Sequence, residues 1–207
     1  RVNHLHQDAI NSSLQDKMIK IIDSVIQDID LLVFSDFNYG CLPQLLVDKL
    51  IKLANANNVM LAADSQSSSQ IGDISRFKGV NLITPTEREA RISSRNHEDG
   101  LVVLAQQLKK LSSTDHIFLK MGEEGMLIYS GNTNGNELLT DTISALNTSP
   151  RDVAGAGDSL LISGALTMTA GGSIWEAALI GSLAAAIQVG RVGNTSLKSK
   201  ELLKELI

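Results

Sequence analysis

Apolar positions near the start of the chain recur at helical spacing. Ile10, Leu14, Met18, Ile21, Ile22, Val25 and Ile26 form one stripe, which predicts a helix over residues 7–27. The period then changes. Residues 30–36 are a short, nearly continuous apolar run of the kind a buried parallel strand shows. Pro43 opens a second helix to about residue 57, proline being favoured in a first helical turn. Further strands are predicted at 59–64 and 81–84, the latter stopped by Pro85. A helix is expected at 98–111, strands at 116–120 and 125–129, and an edge strand at 137–140. The remainder reads as helices over 156–169, 174–189 and 198–206. Alternating strands and helices predict a single α/β domain over residues 1–207 with a mostly parallel sheet. In such sheets ligands bind beyond the carboxyl ends of the strands.

Composition narrows the field. The chain has 207 residues, 43% hydrophobic and 20% charged, as expected of a globular protein with a proper core. A net charge of -5 without a basic block argues against a nucleic-acid surface. One cysteine, Cys41, excludes an internal disulfide and a multi-cysteine metal site. No apolar run reaches membrane-span length and no signal peptide is visible, so a cytoplasmic location with no membrane partner is expected.

The stretch Asp152-Val-Ala-Gly-Ala-Gly-Asp158 is the most informative. Small residues Gly155, Ala156 and Gly157 precede a helix, where free N–H groups and a partial positive charge suit an anion. One reading makes Asp158 a simple helix cap. The other makes it a base that takes a proton from a hydroxyl attacking a phosphate.

The whole segment resembles the second signature of the ribokinase/phosphofructokinase-B family of sugar kinases. The resemblance implies a ribokinase-like fold, Asp158 as catalytic base, and Gly155, Ala156 and Gly157 as the cradle of the transferred phosphoryl group. Thr84-Pro-Thr-Glu-Arg-Glu89 resembles the family's Asn-x-x-Glu motif, with Thr86 in place of Asn. It implies Glu89 as a carboxylate linked to Mg²⁺ through water, although two acidic groups in a first turn also suit the helix dipole. Lys120-Met-Gly-Glu-Glu-Gly125 resembles the nucleotide loop. There Gly122 and Gly125 match, and Lys120 replaces the usual Thr as a nucleotide contact. Near the end, Ser182, Gly190, Gly193 and Asn194 correspond to the adenine side, although small residues on a helix also serve tight packing. Asp36 and Asp64 end predicted strands and are expected on the sugar side. Ser35-Asp-Phe-Asn-Tyr-Gly40 resembles a stretch of heptose 7-phosphate kinases, and Ala63-Asp-Ser-Gln66 stands where that group has Asp-Pro-Lys. The lysine of each is absent.

The implied cofactors are ATP and Mg²⁺, with room for a monovalent cation. The implied partner is a sugar or sugar phosphate, and a homodimer is compatible with it. Family members also carry an N-terminal sugar motif and a β lid, neither of which occurs in this sequence. The chain is therefore expected to be the C-terminal portion of such a kinase and to turn over weakly alone. Two alternatives stay open: a nucleoside or vitamin kinase of the same superfamily, or a non-catalytic nucleotide-binding module.

Overall fold

The computed structural model describes residues 8–67, 71–131, 138–193 and 195–206. Helix α1 spans Ser12–Val25. It starts later than the apolar stripe predicts because Asn11 caps it, its side-chain oxygen accepting from Leu14 N at 2.9 Å. Gln7, the first residue of the predicted helix, lies outside the described residues. The stripe also divides. Ile10, Met18 and Ile22 pack on the core, whereas Leu14, Ile21 and Val25 face out. A single 3₁₀ turn, Ile26–Asp28, then leads to strand β1, Leu31–Asp36.

Helix α2 spans Gln44–Ala56, with Pro43 as its cap rather than inside its first turn. Strands β2, Met60–Ser65, and β3, Leu82–Ile83, follow. Next come α3, Glu87–Ser94, and α4, Leu101–Ser112. Helix α4 begins later than expected because the N–H groups of Glu98 and Asp99 are taken by the Asn96 side chain. Strands β4, His116–Lys120, β5, Met126–Gly131, and β6, Leu138–Ile143, complete the sheet. The last runs past the predicted edge strand, whose first residue, Glu137, lies outside the described residues. Helices α5, Ala156–Thr169, and α6, Ile174–Val189, match their predicted bounds. Helix α7 is Ser199–Leu206.

The six strands lie in chain order. Strands β1 to β4 are parallel, β5 runs antiparallel to β4, and β6 runs antiparallel to β5, back in the direction of β1 to β4. Period-2 alternation sorts the side chains onto two faces. Leu61, Ala63, Ile83, Ile117, Leu119, Leu127 and Tyr129 join one core with residues of α2 and α4. Ala62, Leu82, Phe118, Met126 and Ile128 join the other with α5 and α6. Helices α5 and α6 come close because two glycines let them. A Cβ on Gly181 would stand 3.0 Å from Leu160 O, and one on Gly164 would stand 3.4 Å from Ala177 O on α6 and 3.0 Å from the Phe118 ring on β4. This packing carries the start of α5 to the carboxyl edge of the parallel strands. No helix among the described residues is long and apolar enough to cross a membrane.

Candidate active site

Four side chains mark the carboxyl edge. Asp36 closes β1, Asp64 sits near the end of β2, Thr84 follows β3 and Lys120 ends β4. Asp36 is buried and held by Arg76, Nη2 to Oδ2 at 2.8 Å. Ser65 Oγ and Asn38 N also donate to its carboxylate. Asp64 is buried too. Lys120 Nζ lies 3.2 and 3.4 Å from its two oxygens, and Thr84 Oγ1 donates to Oδ1 at 3.3 Å. Burial pushes the Asp64 carboxyl above the usual range, the Lys120 charge opposes this, and Glu89 adds to the rise. Both acids expected on the sugar side are thus committed to cations inside the protein.

Helix α5 arrives from the other face of the sheet. Its cap, Gly155, takes φ +78, a left-handed conformation that glycine adopts without penalty. No side chain caps this helix start. Ala156, Gly157 and Asp158 form its first turn, and Asp158 carries neither ion pair nor hydrogen bond to its side chain among the described residues. A Cβ on Gly157 would lie 3.2 Å from Lys120 Nζ. The structure therefore brings together Asp64, Lys120 and residues 155–158, which are far apart in sequence.

A pocket of about 390 Å³ opens beside this turn. Its lining includes Lys120, Gly122, Gly125, Ala156, Gly157 and Ser182 among the sequence-predicted residues, with Leu160, Val189 and Leu146 as apolar wall. Such a mix of apolar wall and a few polar groups is typical of a small-molecule site. Gly122 and Gly125 take φ +63 and +97, and a side chain at Gly125 would run into the Ile143 carbonyl. Gly190 and Gly193 do not line the pocket. They form the turn after α6, where a Cβ on Gly190 would stand 3.1 Å from Asn147 Nδ2. Asn194 lies outside the described residues.

Glu89 does two jobs already. Thr86 and Glu89 form a capping box at the start of α3, with Thr86 N donating to Oε2 at 2.7 Å. Ser67 N donates to Oε1 at 2.9 Å. Each oxygen keeps a second lone pair, so the carboxylate can still hold water. That fits a Mg²⁺ ion bound chiefly by phosphates and water, to which Glu89 would connect through the hydration shell. Among the described residues no three His, Cys, Asp or Glu side chains are grouped to hold a metal directly.

Sequence reasoning missed the lock behind the signature loop. Asp152 accepts from Ala154 N at 3.0 Å and Gly193 N at 3.0 Å. These N–H groups hold its carboxyl below the usual range. Gln188, almost fully buried, donates to the carbonyls of Ala154 at 3.2 Å and Gly193 at 3.4 Å. A lone glutamine in an Ala-rich helix was the available signal, since a buried amide needs partners. Arg76 was missed as well, and nothing near it in sequence points to Asp36.

At the carboxyl edge of the sheet the structure thus gathers Asp158, without a side-chain partner among the described residues, Lys120 against Gly157, and a pocket alongside. The chain belongs to the pfkB family of carbohydrate kinases, whose family model, "pfkB family carbohydrate kinase", matches residues 5–201. Among curated relatives it is 30% identical over 202 residues to the "Bifunctional protein HldE" of Shewanella baltica, covering 97% of this chain and 40% of that protein. It is 29% identical to the protein of the same name from Helicobacter pylori, over 98% of this chain and 42% of that one. The chain thus spans about two fifths of the length of these relatives. Among solved structures it resembles Escherichia coli phosphofructokinase-2 in complex with potassium, with TM-score 0.74 and 16% identity over 95% of this chain and 62% of that one. Arabidopsis thaliana ribokinase complexed with ribose and ATP gives TM-score 0.72 and 16% identity over 96% of this chain and 60% of that one. These likenesses establish the ribokinase-like fold.

Proposed function

We propose that the chain performs ATP-dependent phosphoryl transfer to a hydroxyl of a sugar or sugar phosphate. The observation that carries the proposal is the start of α5: a helix with no side-chain cap and, in its first turn, Asp158 without a side-chain partner among the described residues, next to Lys120 and the pocket. Asp158 takes the proton of the attacking hydroxyl. The N–H groups of Gly155, Gly157 and Asp158 face the developing charge on the phosphoryl group, while that of Ala156 donates to the Val153 carbonyl at 3.4 Å, and Lys120 adds a fixed positive charge. The apolar wall beside Ser182 receives the adenine. Mg²⁺, when bound, supplies charge neutralisation between the phosphates, with Glu89 holding its water shell. A heptose 7-phosphate is the first acceptor to test, because the Ser35–Gly40 stretch resembles heptose 7-phosphate kinases.

One observation favours a non-catalytic nucleotide-binding module instead: Asp36 and Asp64 are both occupied by cations. Against it, binding alone has no use for a carboxylate at an anion site, where like charges repel.

The test is ADP release with ATP and Mg²⁺ over a panel of sugars and sugar phosphates, beside calorimetric ATP binding. Turnover with one acceptor, lost in Asp158→Asn, supports the kinase. ATP binding without turnover on any acceptor supports the module. Absence of both overturns the two readings together.

A further inference from the structure

The pairing of Asp64 with Lys120 calls for an explanation that a sugar contact does not provide. Lysine is flexible and strongly hydrated, and an ammonium at a strand end normally reaches for water. Here its side chain is largely buried, with 16% of its surface exposed, and that of Asp64 retains 3%. The carboxylate is itself fixed, since the buried Thr84 hydroxyl donates to Oδ1. Asp64 engages only one side of the ammonium, which has three N–H donors. Gly157 stands on another side, close enough that its missing Cβ would touch Nζ. The positive end of α5 is there too. A free ammonium in that position would be repelled toward solvent. A buried carboxylate behind it keeps it in place.

We infer, on the basis of the kinase reading, that Asp64 is a positioning residue that holds the Lys120 ammonium over the Gly157 end of the phosphoryl cradle. Asp64 acts through Lys120 and not on the sugar. Lys120 faces the phosphates of the nucleotide, and its partner sets where that charge stands. A charge-assisted contact to phosphate contributes affinity only if the donor is already in position.

Calorimetry on the full chain, with ATP and adenosine as the two probes, tests this. Lys120→Met and Asp64→Asn are each expected to weaken ATP by about tenfold or more and to leave adenosine within about twofold. Lys120→Arg should retain most of the ATP affinity. The double variant should bind ATP no more weakly than Lys120→Met alone, because Asp64 works only through the lysine. A purely structural ion pair would lower the melting temperature without changing the ratio of ATP to adenosine affinity. That ratio unchanged in Asp64→Asn, or losses that multiply in the double variant, overturns the inference. If Asp64→Asn does not fold, unchanged ATP affinity in Lys120→Met overturns it equally. ATP-dependent turnover that survives in Lys120→Met with normal ATP affinity removes this inference and leaves the kinase reading standing. A chain that binds neither probe removes both.

Discussion

Helices α5 and α6 are neighbours in sequence and pack on the same face of the sheet, yet they begin in opposite ways. At α6, Ser173 accepts from Glu176 N at 3.2 Å and Glu176 returns to Ser173 N at 2.7 Å. Every group of that capping box is used, and the Glu176 carboxyl is held below its usual range by the Ser173 N–H and hydroxyl. At α5 the acidic residue occupies the same third position, Asp158, but the cap is Gly155 and the box is never closed. Helix α3 repeats the α6 arrangement with Thr86 and Glu89. Helix α7 also carries a first-turn acid, Glu201, which accepts from Lys198 N at 2.8 Å, so α3, α6 and α7 spend such an acid on their own backbone and α5 does not. Among the described residues α5 leaves its acid, Asp158, without a side-chain partner, and of its first N–H groups that of Ala156 donates to the Val153 carbonyl at 3.4 Å. A first-turn acid alone does not distinguish a cap from a base; whether its carboxylate is already taken by the backbone does.

The largest expected effect breaks the comparison at α5. Asp158→Asn should lower kcat by a factor of about 10² to 10⁴ while ATP affinity stays within a few-fold, measured by ADP release and calorimetry. Glu176→Gln should leave kcat unchanged in the same assay. Loss of ATP binding in a folded Asp158→Asn protein would make that residue a binder. Next, Gly155→Ala forces a side chain into the left-handed region at φ +78. It should cost about 1–2 kcal/mol in chemical denaturation. Stability unchanged in that variant would mean that the turn is free to rearrange. Ser173→Ala opens the α6 box and should cost about 1 kcal/mol, with ATP affinity unaltered. In a chain of this size that corresponds to a fall in melting temperature of about 2–4 °C.

The smallest effect is on pH dependence. Because Asp152 is held below the usual carboxylate range in the folded chain, its contribution to stability is complete above the unfolded value, about pH 4, and disappears as pH falls through the folded one. Acid titration of the melting temperature should therefore be flatter below about pH 4 in Asp152→Asn than in the unaltered chain. An identical slope would show that the loop lock does not depend on charge.

Much of this architecture was legible in the sequence because it is local. The bounds of α5 and α6 follow from apolar runs bracketed by glycines, and β4 and β5 from short apolar runs on either side of Gly122 and Gly125. Boundaries slipped where a polar side chain captured backbone N–H groups, as Asn11 and Asn96 do. The α1 stripe predicts the helix but not how much of it is buried, and Ile21 points to solvent because a single sheet face takes only part of a wide stripe. Of the residues that the resemblance assigned to one site, Ala156, Gly157, Lys120 and Ser182 line one pocket, with Gly155 and Asp158 in the same helix start. The cations on Asp36 and Asp64 were not readable. Arg76 is 40 residues from the first and Lys120 is 56 from the second, and no local pattern encodes such pairings. Glu89 shows the same limit, since its bond to Ser67 N depends on how the chain returns beyond β2.

The lock made by Asp152 and Gln188 has a consequence for motion. Both side chains bridge the turn after α6 to the loop that enters α5, so that turn and the start of α5 cannot loosen independently. Opening one should release the other as a single cooperative unit. In native-state hydrogen exchange, the amides of Ala154 and Gly193 should then share one opening free energy, and Gln188→Ala should lower both together.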